Sequence, residues 1–122
     1  MSRRNTALAL TLFSVALGAL NQFLFKPFWG QAFPFLAWYA NDVIAGFFLP
    51  AFTQFLLARG HFPPLSLSAT LLLVLGAGTV WELLPQLWSS SAVADPWDMA
   101  AYLAGGALFH LLFRFFTSKD KA

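Results

Sequence analysis

The chain contains no cysteine, which excludes disulfides, thiolate nucleophiles and cysteine-ligated zinc and leaves the redox compartment unreported by thiols. Charge is scarce too: 10% of the 122 residues are Asp, Glu, Lys or Arg, against about 25% in an ordinary soluble domain. Histidine occurs twice, at His61 and His110, too few and too far in sequence from the acids for a zinc site of the usual kind. No glycine-rich phosphate loop is present and no hydroxyl nucleophile is paired with a histidine base, so neither a nucleotide nor a haem cofactor is expected. The net charge of +2 comes from lysines and arginines at the ends of apolar runs. They read as topology signals, and no nucleic-acid partner is expected.

What is present is apolar. Hydrophobic residues make up 59% of the chain and aromatics 18%, with a mean hydropathy of +0.68. A bilayer core of about 30 Å takes about twenty helical residues, so the sequence predicts an all-α membrane protein. The expected architecture is a four-transmembrane-helix bundle in one domain, 1–122, with spans at 6–25, 35–58, 65–88 and 97–116. The first run is long for a signal peptide and Leu17-Gly18-Ala19 is a poor cleavage site, so an uncleaved helix is expected. With four spans, Arg3, Arg4, Arg59, Arg114, Lys119 and Lys121 fall on one side and Lys26 on the other. The excess of basic residues predicts that both termini are cytoplasmic. Trp29, Trp38, Trp88 and Trp97 cluster at the expected outer ends as interfacial anchors.

Only five acids exist, and most lie where a bilayer tolerates them least. Asp42 and Glu82 sit inside apolar runs, about 10 and 9 Å from the outer ends of their spans at about 1.5 Å per residue. A carboxylate at such depth costs about 2.5 to 3.5 kcal/mol on insertion scales and normally meets a partner, a cavity or water. The alternative is a protonated acid serving as a hydrogen bond between helices. Asp95-Pro96-Trp97-Asp98 opens the last span: Asp95 suits the helix cap, Pro96 the first position, and Asp98 either compensates the dipole or joins the acidic layer. Asn21, Gln22, Asn41, Gln86 and Tyr102 fall at similar depth and are expected to support the same outward-facing pocket. Pro50 and Pro85 cannot donate backbone hydrogen bonds, which releases the carbonyls of Gly46 and Trp81. Small residues recur at helical spacing in the last span, Ala101 with Gly105 and Ala100 with Ala104; with Gly46 they predict close helix packing.

A second-span Asp42, a third-span Glu82 with Pro85, and Asp95-x-x-Asp98 at the head of a last span rich in small residues resemble the VanZ-like group of small bacterial membrane proteins. The likeness covers Asn41 to Gly106 and is strongest to short members labelled "magnesium citrate secondary transporter". Gly46 stands where that group often has histidine, and Tyr102 where it often has asparagine. The segment Asp42-Val43-Ile44-Ala45-Gly46 is also similar to a stretch of phosphatidylglycerophosphatase A, a magnesium-dependent lipid phosphatase. The resemblance, together with the topology, implies a multi-pass protein of the bacterial inner membrane.

An all-oxygen donor set of Asp42, Glu82 and Asp98 suits Mg2+ or another oxygen-preferring divalent cation. Three functions stay open on these residues. One is a pocket that binds a divalent cation or a polar lipid head group, for envelope-lipid recognition or magnesium-dependent modification. The second is a secondary transporter of a metal, protons or a metal-carboxylate complex, which for so small a unit implies a homodimer. The third is a structural subunit of a larger membrane complex.

Overall fold

A computed structural model of the chain describes residues 2–25, 27, 32, 39–87 and 96–118, with backbone alone at 25, 82, 85, 86, 96 and 118. The described residues form four helices: α1 (Arg3–Leu20), α2 (Ala40–Arg59), α3 (Leu67–Leu83) and α4 (Pro96–Ser118). Three stretches, Arg3–Leu24, Ala40–Arg59 and Trp97–Thr117, are long and apolar enough to cross a membrane; α3 supplies the shorter apolar stretch Leu67–Trp81.

Local chemistry sets the ends. The Ser2 hydroxyl accepts from Asn5 N–H at 3.1 Å, so α1 starts earlier than the hydrophobic pattern implies, at Arg3. Beyond Leu20 the helix widens into one π turn, Asn21–Phe25. The third helix starts later than expected, because Pro63 and Pro64 precede it and Ser66 caps it, its hydroxyl accepting from Ala69 N–H at 3.1 Å. Around Pro85, which has no N–H to give to Trp81, α3 tightens into a 3₁₀ segment, Leu84–Leu87. Pro50 is buried inside α2 without ending it. At the end of α2, Phe62 N–H donates to Leu57 O at 2.9 Å and His61 N–H to Ala58 O at 3.2 Å. His61 holds φ 62°, the left-handed position at which helices usually place glycine. Residues 35–38 of the expected second span lie outside the described residues, as do Lys26, Trp29, Trp88, Lys119 and Lys121.

The four helices pack with their small and polar residues inward. Thr6, Thr11, Ser14, Asn21, Gln54 and Thr70 are buried, while Phe13, Leu12, Phe23, Leu72, Trp81 and Trp97 are exposed. A soluble bundle shows the reverse, and such a surface is that of a helical membrane protein. Three of the buried hydroxyls are satisfied locally: Thr11 donates to Ala7 O and Ser14 to Thr11 O, both at 2.7 Å, and Thr70 to Ser66 O at 2.8 Å; the Thr6 hydroxyl has no partner among the described residues.

The most extensive contact is α4 on α2, followed by α1 on α2. At the α2–α4 crossing the two backbones touch. A Cβ at Gly105 would meet Val43 O and stand 2.8 Å from Phe47 N; one at Gly46 would meet Tyr102 O and stand 2.8 Å from Tyr102 Cα. Only residues without side chains permit that approach. Of the two small-residue pairs in α4, Ala101 and Gly105 are buried on this side, whereas Ala100 and Ala104 are exposed. Inward of the crossing an apolar cluster of Ala7, Leu10, Phe47, Ala51, Phe109 and Phe113 fills the bundle, with Phe47 and Phe109 edge to face at 5.6 Å.

Gly105→Ala is therefore expected to lower unfolding stability by about 1–3 kcal/mol through overpacking. Gly76→Ala, where an added Cβ has nothing within 4 Å, should leave it unchanged or slightly raised. Equilibrium unfolding in detergent compares the two. Equal losses would mean that the α2–α4 backbone contact does not set the packing.

Candidate functional site

Three helices share one contact layer. Tyr102 of α4 lays its backbone against Gly46 of α2, and its ring against Gly78 of α3, where a Cβ would lie 2.9 Å from Tyr102 Cδ2 and 3.1 Å from Met99 Sδ. Tyr102 is buried, so this residue is a wedge between α2 and α3. Its position in the sequence marks it only as an aromatic at the level of the acids.

The acids are placed by that layer. Asp42 precedes Gly46 by four residues, Asp98 precedes Tyr102 by four, and Glu82 follows Gly78 by four. Because α3 runs opposite to α2 and α4, each offset is one helical turn in the same direction. The structure thus sets Asp42, Asp98 and the backbone of Glu82 one turn to the same side of a single three-helix contact. Asp42 and Asp98 are half-buried. The side chains of Glu82 and Gln86 and the whole of Asp95 lie outside the described residues. Among the described residues no group of three acids or histidines is close enough to hold a metal ion.

An amide network ties α1 to the start of α2 beside Asp42. Asn21 Nδ2 donates to Asn41 Oδ1 at 2.8 Å, and Asn41 Nδ2 donates to Gln22 Oε1 at 3.3 Å. Consecutive residues of an α-helix diverge around its axis. The π turn that begins at Asn21 narrows that divergence and lets Asn21 and Gln22 both reach Asn41. Asn21 is 2% exposed, so the bond is made inside the bundle. On the inner side of Asn41, Gly18 rests on Ile44, with 3.6 Å to an added Cβ.

Directly inward of the acids a cavity of about 420 Å³ opens between α2, α3 and α4. Ala45, Leu49, Val74, Gly78, Trp81 and Tyr102 are among its lining residues, and its wall is almost wholly apolar. The arrangement is polar above and apolar below. The carbonyl of Gly46, released by Pro50, faces α4 at Gly106, 3.6 Å from where a Cβ would stand. It serves helix packing, not the cavity.

Sequence reasoning passed over Gln54. Its side chain is 1% exposed; Oε1 accepts from Leu65 N–H at 2.9 Å, fixing the α2–α3 loop, while Nε2 finds no partner among the described residues. The signal was available, since an amide deep in an apolar run calls for the same scrutiny as Asp42.

Asn21→Leu and Asn41→Leu should each destabilise the protein by about 0.6 to 1.7 kcal/mol, the range for polar contacts between membrane helices. The double variant should lose less than the sum, because both changes remove one shared bond. Strict additivity in a double-mutant unfolding cycle would contradict the network. No family model, curated protein or solved structure matches the chain.

Proposed function

We propose that the chain crosses the bacterial inner membrane four times with both termini cytoplasmic, and that its outward-facing acidic layer binds a divalent cation and, with it, the polar head of an envelope lipid. The observation that carries this reading is the common offset of Asp42, Glu82 and Asp98 from the Gly46–Tyr102–Gly78 contact. Three acidic residues whose backbones share one level of a low-dielectric medium would repel one another when ionised, and a divalent cation offsets that repulsion. The donors are all oxygen, which fits magnesium, an ion that keeps several waters and accepts phosphate ligands.

The third helix is long enough for this topology. Seventeen α-helical residues rise about 26 Å at about 1.5 Å each, and four 3₁₀ residues add about 8 Å at about 2.0 Å each. The total exceeds the roughly 30 Å of hydrocarbon. The excess of Arg and Lys at the ends of α1, α2 and α4 supports the orientation.

The cavity favours the lipid reading over the transporter reading. Ion sites in a path are built from polar groups, whereas the space inward of the acids is lined by Ala, Val, Leu, Gly and aromatics. That lining suits an acyl chain whose head group sits at Asp42 and Asp98. In this reading the acids and their cation recognise the head and the cavity takes part of the tail.

Titrating Mg2+ or Ca2+ into the detergent-solubilised protein should raise its melting temperature in a saturable way, by the equivalent of about 2.7 kcal/mol at a hundredfold excess over Kd. Glu82→Gln and Asp42→Asn should each abolish most of that rise while folding normally. A wild-type melting temperature indifferent to both ions, or a rise that survives both substitutions, would sink the proposal.

A further inference from the structure

The opposite end of the bundle carries a second pocket that the acidic layer does not use. Its volume is about 380 Å³, and Arg3, Ser66, Leu67, His110, Arg114 and Thr117 are among the residues that line it. The pocket lies where α1 and α3 begin and α4 ends.

Its full charges have one sign. Arg3 and Arg114 each contribute a full positive charge, and among the described residues neither has an ion-pair partner. The helix ends add partial charges of about +0.5 from each of α1 and α3 and about −0.5 from α4. The guanidiniums decide the balance. At the end of α4, Thr117 Oγ1 donates to Phe113 O at 2.7 Å, occupying one of the last carbonyls.

His110 supplies an independent indication of a ligand. It is 6% exposed, lines the pocket and makes no hydrogen bond among the described residues. A buried imidazole normally pairs its ring nitrogens, and a hydrogen-bonding group held in this cavity would supply such a partner. Ser66 and Leu67, the cap and first residue of α3, line the same space; the Ser66 hydroxyl takes the Ala69 N–H, which leaves the N–H groups of Leu67 and Ser68 as first-turn donors without intrahelical acceptors.

We infer that this pocket is an anion site that takes a phosphate group, with Arg3 and Arg114 as charge partners, the start of α3 as a backbone donor and His110 closing the wall. Guanidinium forks match phosphate geometry. The ligand is a phosphate on an anionic lipid or phosphate in solution, and both offer the same oxygens.

The test uses the full chain in detergent with EDTA, so that no divalent cation occupies the acidic layer. Dioctanoyl phosphatidylglycerol, dioctanoyl phosphatidylcholine and inorganic phosphate are titrated separately, and the rise in melting temperature gives each affinity. A saturable rise with phosphatidylglycerol alone identifies the lipid; a rise with inorganic phosphate identifies the soluble anion. In either case Arg114→Gln and Arg3→Gln should each weaken binding about tenfold or more. Arg59→Gln, outside the pocket, should weaken it no more than about fivefold, the loss expected for any arginine near an anionic surface. Should Arg114→Gln fail to fold, Arg3→Gln and His110→Gln carry the same comparison. No rise with either phosphate, a rise equal to that with phosphatidylcholine, or equal losses for Arg59→Gln and the pocket variants would overturn the inference.

Discussion

The backbone contact between α2 and α4 at Gly46, Tyr102 and Gly105 is the constraint on which the other features depend. Helices in a bilayer gain little from burying apolar surface, since lipid is as apolar as leucine, and associate through close packing and polar bonds. Two chains that touch at glycine maximise dispersion contact along the crossing. Tyr102 is held on one side by Gly46 and reaches Gly78 on the other, so one residue fixes three helices. Everything one turn outward of it inherits the alignment, and the acids are there.

The two ends of the bundle have opposite chemistry. Outward of the crossing stand carboxylates and a chain of amides from Asn21 through Asn41 to Gln22; at the other end are guanidiniums and a buried imidazole. Between them lies the aromatic cluster around Phe47, Phe109 and Phe113, which separates the two polar regions.

Much of this was legible in the residues. Four apolar helices followed from composition and run length, and Ala101 and Gly105 stood out by their spacing. The rest needed the fold. Helical periodicity marks both Ala100 with Ala104 and Ala101 with Gly105, and only the neighbour chooses between them. The four-residue offsets of Asp42, Glu82 and Asp98 become meaningful once Gly46, Gly78 and Tyr102 are known to meet. The early start of α1 follows from the Ser2 cap and the late start of α3 from Pro63, Pro64 and the Ser66 cap, and neither these nor the π turn at Asn21 is encoded in hydrophobic patterns. Gln54 was legible as an amide inside an apolar run, but its partner Leu65 was not; and only the fold brings Arg3, from the other end of the chain, to His110 and Arg114.

The central claim is that Asp42, Glu82 and Asp98 stand at one level around the Tyr102 contact. The absence of native cysteine makes that directly measurable by paired cysteine substitution and reaction with a short thiol-specific linker in membranes. The pairs Asp42→Cys with Asp98→Cys, and Glu82→Cys with Asp98→Cys, should each give an intramolecular cross-link in high yield. Asp42→Cys with Ala100→Cys, whose second site faces outward on α4, should give little. Efficient linking of the control pair with none between the acid positions would show that the acids do not share a layer.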